Sequence, residues 1–216
     1  KKVTAKGKHF NFDVSGEWEI FPQPIQQPHP PFYLGAGSEG SIAMAARNGF
    51  GLMQSTLPSV TVIGEHIAHY RKHMGEAPAP LNLNPAFGDV DVCRMTFVAP
   101  TDAKAKELSE DGITRHMKSF MAGGAKTGGY LGDISDKSGD EQFAYDNLMD
   151  GTILHGSPET VLRKIEAFKA VGTTSLMLHY PPYYGQERTL DMLRLFAKEV
   201  LPHVQAMNVP RLVAAE

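Results

Sequence analysis

The chain has 216 residues, of which 42% are hydrophobic and 21% charged, values that are ordinary for a soluble globular protein of one domain or two small ones. Its net charge of -3 gives no electrostatic reason to expect nucleic acid or an anionic membrane as a partner. The single cysteine, Cys93, excludes an internal disulfide, and no apolar run is long enough to span a membrane, so a soluble cytoplasmic protein is predicted.

Residues 1–31 are predicted to form an extended, proline-rich arm. Five prolines between Pro22 and Pro31 disfavour a helix and favour extended chain. The arm leads into a short apolar strand, "PFYLGAG", and residues 32–216 are predicted to form the folded body of the protein.

Strands and helices alternate through that body. Four short apolar strands are predicted, at "PFYLGAG", "FGLMQS", "VDVCRMTFVAP" and "TSLMLHY". Helices are predicted from Glu39 to about Asn48, from about Val60 to Met74, after the N-caps Thr101 and Ser157, and at "ERTLDMLRLFAKEVLPHVQAM", interrupted late by Pro202. The order indicates a parallel α/β architecture, either a doubly wound sheet or part of a (β/α)8 barrel.

A glycine-rich polar stretch, residues 123–151, interrupts this alternation. A connection of that length inside a compact domain is typical of a lid, a binding loop or a disordered insert.

The turn after the first strand of the body contains Gly35, Gly37 and Gly40, spaced as G-x-G-x-x-G. A dinucleotide fold also needs an acidic residue at the end of the next strand, and no Asp or Glu precedes Glu65 there. A phosphate cradle is the better interpretation, because the first N–H groups of the helix that Ser38 caps would point at an anion. From the turn alone, a phosphate site and a simple capped turn remain equally open.

Three histidines, His66, His69 and His73, fall along one flank of a predicted helix. Their spacing permits metal binding, but no carboxylate or cysteine completes a ligand set, so no metal site is predicted.

Four segments, taken in order, resemble the bacterial luciferase-like flavin-dependent monooxygenases. They are "PQPIQQPHPPFYLGAGSEGSIAMAARNGFGLM", "VAPTDAKAKE", "LHGSPETVLRKIEAFKAVG" and "LRLFAKEVLPHV". The resemblance implies a TIM-type (β/α)8 barrel that binds reduced FMN, or the deazaflavin F420, at the carboxyl ends of its strands. It implies a cofactor phosphate held at Gly35, Ala36, Gly37 and Ser38, beside Leu52, Met53 and Gln54. It also implies a mobile lid at 123–151, carrying Tyr130, Phe143 and Tyr145.

The matching segments are those of the family's C-terminal half, strands five to eight. The resemblance therefore implies a half-barrel, (β/α)4, whose open sheet edges favour self-association or pairing with an N-terminal half. Catalytic residues stay unknown, with His179 and Tyr180 as candidates because they end the last strand, at the active-site face of a barrel.

The implied reaction is oxygenation of a small organic substrate by O2 and reduced FMN that a separate reductase supplies. Two alternatives remain open at this stage. One is an F420-dependent oxidoreductase on the same scaffold. The other is a non-catalytic, truncated relative that acts as an assembly or flavin-binding module.

Overall fold

The computed structural model describes residues 3–14, 21–79, 81–122 and 143–215. The strands in these ranges are Val3–Lys6 (β1), Asn11–Val14 (β2), Tyr33–Gly35 (β3), Gly51–Gln54 (β4), Val90–Val98 (β5), Leu154–Gly156 (β6) and Ser175–His179 (β7). The α-helices are Glu39–Arg47 (α1), Val60–Met74 (α2), Asp102–Ala122 (α3), Tyr145–Gly151 (α4), Pro158–Ala170 (α5), Gln186–Glu199 (α6) and Leu201–Ala206 (α7). None of these helices is both long and apolar enough to cross a membrane.

The chain divides into two compact units, Lys1–Pro30 and Pro31–Glu216. In the first unit, β1 and β2 form an antiparallel hairpin in which Val3 pairs with Val14 and Lys6 with Asn11. The N–H of Gly7 closes the turn by donating to the carbonyl of Phe10 at 3.0 Å. This hairpin was not predicted, because its strands are only four residues long and no Asn-Gly or Asp-Gly dipeptide marks the turn.

Helix boundaries in the second unit follow the predicted caps. The hydroxyl of Ser38 accepts the N–H of Ser41 at the start of α1, and Ser157 caps α5 in the same way. Thr101 accepts the N–H of Lys104 at 3.1 Å at the start of α3. The predicted interruption near Pro202 is also confirmed, since α6 ends at Glu199 and α7 begins at Leu201.

The second unit is built on a parallel sheet in which each later strand is added on the same side of the earlier ones. β3 pairs with β4, and β4 pairs with β5. The carbonyl of Asp89 accepts from β4, whereas that of Val90 accepts the N–H of Thr174, which leads into β7. Successive carbonyls point to opposite edges of a strand, so β4 and β7 flank β5 on opposite sides. A doubly wound sheet reverses its strand order, and this order does not reverse, which is consistent with a TIM-type barrel.

The described sheet contains five strands, so the prediction of four was wrong. The additional strand, β6, pairs in parallel with the last residues of β5, Thr96 with Leu154 and Val98 with Gly156. It has three residues and runs directly into the Ser157 cap. Its sequence therefore shows no alternation long enough to distinguish a strand from the approach to a helix.

The two faces of the sheet have different surroundings. Val90 and Val92 in β5 are fully buried against α1 and α2 in one apolar cluster, and Arg94 continues the same face. The alternate residues, Cys93 and Met95, point to the other face, because side chains alternate along a strand. That other face borders the cleft described below.

Residues 123–142 of the predicted lid, with Tyr130, lie outside the described residues. The remainder of that stretch ends in helix α4, whose Leu148 is fully buried. Phe143 and Tyr145 are also buried, in the core that contains Phe97 and Ile113.

The C-terminal tail crosses the amino ends of the strands. The N–H of Leu212 donates to the carbonyl of Gly88 at 2.9 Å, and Arg211 forms an ion pair with Asp89 at 2.9 Å. Gly88 has a φ of +89°, and a Cβ there would lie 2.5 Å from the carbonyl oxygen of Leu212. Only glycine permits this close approach of the tail to the residues that precede β5.

A buried hydrogen-bond network surrounds His155 in β6. The hydroxyl of Ser109 donates to the carbonyl of Ala105 at 2.7 Å, so its oxygen accepts Nδ1–H of His155 at 3.0 Å. Nε2 of His155 then accepts the hydroxyl of Tyr184 at 2.8 Å. Both ring nitrogens are therefore satisfied in the neutral imidazole. Burial, together with the charge of Lys164, holds the pKa of His155 well below its ordinary 6.5.

We expect His155 to make folding sensitive to acid. The unfolded chain binds a proton at His155 near pH 6.5 and the folded chain does not, so stability falls as the pH decreases below 6.5. The loss approaches about 1.4 kcal/mol per pH unit for this one group. Urea unfolding at pH 7.5 and pH 5.5 measures the loss, and His155→Gln should reduce it. An equal loss in His155→Gln would contradict the assignment.

Candidate functional site

A cleft of about 600 Å³ opens at the carboxyl ends of β3, β4 and β7. Its walls come from the turn after β3, the loop after β4, the free face of β5 and β7, and one side of α3. The lining residues are Gly35, Ala36, Gly37, Met53, Gln54, Ser55, Thr56, Leu57, Cys93, Met95, His116, Met117, Phe120, Met177 and His179. This set contains no Asp, Glu, Lys or Arg, so the described wall of the cleft carries no fixed charge.

The glycine turn forms one end of the cleft. Gly35 is paired with Met53, and the N–H of Ala36 extends the ladder by donating to the carbonyl of Met53 at 3.1 Å. No atom lies within 4 Å of the position that a Cβ on Gly35 would occupy. The turn therefore leaves open space beside its backbone, of the kind that lets a ligand approach closely.

The first turn of α1 uses some of its N–H groups internally. Ser41 Oγ accepts the N–H of Gly37 at 3.2 Å and that of Ser38 at 3.1 Å. Ser38 Oγ in turn accepts the N–H of Ser41, which completes a capping box. By helix geometry, the N–H groups of Glu39 and Gly40 have no acceptor inside the helix. The N–H groups of Gly37 and Ser38 are thus already bonded, and those of Glu39 and Gly40 point out of the helix.

Gln54 connects the turn to α2. Its Nε2 donates to the carbonyl of Ala36 at 2.7 Å, and its Oε1 lies 2.7 Å from Nδ1 of His66. Burial lowers the pKa of His66. Met53 lines the cleft beside Gln54, whereas Leu52 is fully buried on the opposite face, among the core residues. Ser38 is exposed and outside the cleft lining.

His179 forms the other end of the cleft, paired with a histidine that the sequence analysis missed. The ring of His116, on α3, lies 5.1 Å from that of His179 between centroids, at an interplanar angle of 80°. Tyr180 is exposed and does not line the cleft. The sequence signal that could have identified His116 is its place among Ile113, Met117 and Phe120 at helical spacing. That pattern fits an ordinary buried helix face equally well.

Arg94 is a second residue that sequence reasoning missed. Its side chain is fully buried on the helix-covered face of β5. It donates to the carbonyl of Ser55 at 2.7 Å and to the carbonyl of Pro58, and its guanidinium lies 4.5 Å from the ring centre of Phe168. Burial lowers the pKa of Arg94 to about 10, so the group stays charged at neutral pH. Arg94 therefore holds both ends of the loop that lines the cleft at Ser55, Thr56 and Leu57.

The histidines of α2 do not converge on one point. His66 contacts Gln54, His69 lies 3.1 Å from the carbonyl of Glu39, and Nδ1 of His73 lies 2.5 Å from a carboxylate oxygen of Glu76. Within the described ranges, no group of three or more His, Cys, Asp or Glu side chains is placed to hold a metal ion.

The chain matches the model of the luciferase-like monooxygenase family over residues 1–175, and it belongs to that family.

Solved structures of similar fold include flavin and F420 enzymes. The oxygenating constituent of 3,6-diketocamphane monooxygenase from Pseudomonas putida, in complex with FMN, is 22% identical with a TM-score of 0.72, over 98% of this chain and 60% of that one. The monooxygenase RslO1 from Streptomyces bottropensis is 19% identical with a TM-score of 0.65, over 94% of this chain and 56% of that one. The coenzyme F420-dependent tetrahydromethanopterin reductase from Methanopyrus kandleri is 18% identical with a TM-score of 0.55, over 93% and 58%. The chain thus spans little more than half the length of each.

Proposed function

We propose that this chain forms the C-terminal half, strands five to eight, of a TIM-type barrel in a flavin-dependent oxidoreductase. The observation that carries the proposal is the cleft at the carboxyl ends of the strands, which begins at the glycine turn. Substrates and cofactors of barrel enzymes bind at this end of the strands. β3, β4, β5 and β7 would be the four barrel strands, and the coverage of 56% to 60% of the solved structures fits half a barrel.

The residues around the turn fit the phosphate of a flavin. The backbone from Gly35 to Ser38 would line the phosphate position, the free N–H groups of Glu39 and Gly40 would be its donors, and the Ser38 hydroxyl could donate to it only by leaving Ser41 Oγ, which it contacts at 2.9 Å. The open space beside Gly35 gives the ligand room. The end of β4, Leu52 to Gln54, would lie beside the ribityl chain, with Met53 and Gln54 facing it and Leu52 contributing its backbone.

The reaction that we favour is oxygenation of a small organic substrate by O2 and reduced FMN that a separate reductase supplies. The flavin supplies two electrons, one oxygen atom enters the substrate and the other leaves as water. The role of this chain would be to bind the cofactor, to position the substrate and to exclude water with the apolar side chains of Leu57, Met95 and Met117. The FMN complex of the 22% identical monooxygenase supports this version.

An F420-dependent oxidoreductase is equally compatible with the fold, because F420 enzymes stand among the similar structures. The residues of the turn and of β4 do not discriminate between the two cofactors.

A non-catalytic assembly or flavin-binding module is the third candidate. It is favoured by the edges of the described sheet, where β3 pairs only with β4 and β7 only with β5. Such edges favour self-association or a complementary half-barrel.

Titration of the protein with FMN and with F420, oxidised and anaerobically reduced, tests the proposal when the mass in solution is measured alongside. We expect one reduced cofactor per cleft, with an affinity that falls at least tenfold in the double variant Ser38→Ala, Gly37→Val. The cofactor that binds more tightly in its reduced form identifies the enzyme. A well-folded protein that binds neither would reject the cofactor site.

A further inference from the structure

The cleft has a second polar position that the proposed phosphate site does not use. His116 and His179 lie at the end opposite the glycine turn, one on α3 and the other at the end of β7. Both side chains are half-buried. In the described part of the chain, their ring nitrogens make no hydrogen bond with another residue. Two imidazoles therefore present unused donors and acceptors to the interior of the cleft.

The wall between the two ends is apolar and adaptable. It includes four methionines, Met53, Met95, Met117 and Met177, together with Leu57 and Phe120. Thioether side chains have three rotatable bonds and adjust to ligands of different shape. Such a wall favours apolar molecules but does not select one particular shape.

Among the described residues that line this part of the cleft, none carries a charged side chain. Arg115, which adjoins His116 in the chain, is not part of the lining; it bonds Asp111 at 3.1 Å and lies 5.8 Å from the ring centre of Tyr183. Burial lowers the pKa of both His116 and His179, and a charge on His179 would lower that of His116 further. At neutral pH each imidazole is thus an uncharged ring with one N–H donor and one acceptor nitrogen.

We propose that His116 and His179 form a second ligand-binding position, which takes the hydrogen-bond-accepting oxygen of an uncharged, mostly apolar molecule. The apolar part of that molecule lies along the methionines, and its oxygen, which has two lone pairs, accepts one N–H from each of the two rings. An anionic ligand is disfavoured, because nothing in the described lining would neutralise its charge. The inference rests on the proposed function in that this molecule would be the substrate that shares the cleft with the cofactor.

A matched pair of probes tests this position: hexan-2-one, which is neutral, and hexanoate, which has the same chain length and a charge. Binding is followed at pH 7.5 through the ring ¹⁵N resonances of His116 and His179, first without cofactor. We expect hexan-2-one to shift both resonances and to bind at least fivefold more tightly than hexanoate. Tighter binding of hexanoate, or no shift at either ring, would overturn the proposal.

Two variants separate a ligand contact from a structural role. His116→Phe and His179→Phe keep a ring in place but remove its N–H, and each should weaken hexan-2-one about fivefold, as the loss of one hydrogen bond predicts. His203→Phe, at an exposed position on α7, should leave binding unchanged. Unchanged binding in both cleft variants would overturn the proposal.

Cofactor titration of the same variants keeps the two proposals distinguishable. Cofactor affinity should not change in His116→Phe or His179→Phe. If hexan-2-one binds in a histidine-dependent way and neither FMN nor F420 binds, the flavin proposal fails and this position stands. The reverse outcome leaves the flavin site and removes this one.

Discussion

Replacing Gly35 with valine is expected to reduce cofactor affinity at least tenfold while leaving the fold intact. Gly35 ends β3 with its open side toward the cleft, and no atom lies within 4 Å of the Cβ position. The valine side chain therefore meets no protein atom there, but it fills the space in which the cofactor phosphate would lie. Valine also favours strand structure more than glycine, so thermal stability should stay equal or rise slightly.

The measurement is a titration of Gly35→Val with the cofactor that the protein binds, together with a thermal melt. Gly75→Val is the matched control, since Gly75 follows α2 outside the cleft and its nearest contact would be Ala214 at 3.9 Å. The control should retain full affinity. Wild-type affinity in Gly35→Val would mean that the phosphate lies elsewhere.

Replacement of Arg94 is expected to lower the free energy of unfolding strongly. Truncation to alanine leaves a cavity next to Phe168 and removes the donors to the carbonyls of Ser55 and Pro58. Loss of a large buried side chain and of hydrogen bonds made by a charged group together destabilise proteins by about 3–5 kcal/mol. Urea unfolding of Arg94→Ala should show a decrease of this size. Arg194→Ala, which removes an exposed ion pair on α6, should change stability by less than about 0.5 kcal/mol.

A third variant shows whether Arg94 also serves the cleft. Arg94→Met refills the volume with an apolar chain but cannot hold the loop from Ser55 to Pro58. We expect it to recover much of the stability of the wild type and still bind the cofactor about tenfold more weakly, because the loop that lines the cleft is no longer anchored. Full affinity in Arg94→Met, or a loss below about 1 kcal/mol in Arg94→Ala, would show that the loop holds its position without the arginine.

The helices α1, α2, α3, α5 and α6 were predictable because their signals are local, whereas α4 was not predicted and lies inside the stretch 123–151 that was read as a loop. Ser38 and Ser157 accept N–H groups three residues ahead, and the apolar stripe of α2 ends at Met74, where the helix ends. Such contacts lie within a few residues of each other along the chain. β6 was missed for the opposite reason, since its three residues are a strand only because the end of β5 lies beside them.

The residues of the candidate site were predicted or missed for the same reasons. The glycine turn and Gln54 were predicted from one continuous segment, and the structure brings them together through the bond from Gln54 to the carbonyl of Ala36. His116 was not predicted, because its partner His179 lies 63 positions further along the chain and only the fold makes them neighbours. Arg94 was not predicted because arginine is usually exposed to solvent, and the sequence does not show that α2 and α5 cover this position of the strand.

The contacts of the C-terminal tail with Gly88 and Asp89 lie at the amino ends of the strands, and the cleft lies at their carboxyl ends. Sequence changes in the turns and loops around the cleft therefore leave the tail and its anchoring residues untouched. Mutations of the cleft lining and mutations of the tail contacts thus fall on different parts of the chain, and Arg94, which bonds the loop from Ser55 to Pro58, is the residue at which we expect stability and the cleft to be coupled. We expect a scaffold arranged in this way to tolerate sequence diversification around the cleft, which would make it a favourable starting point for directed evolution.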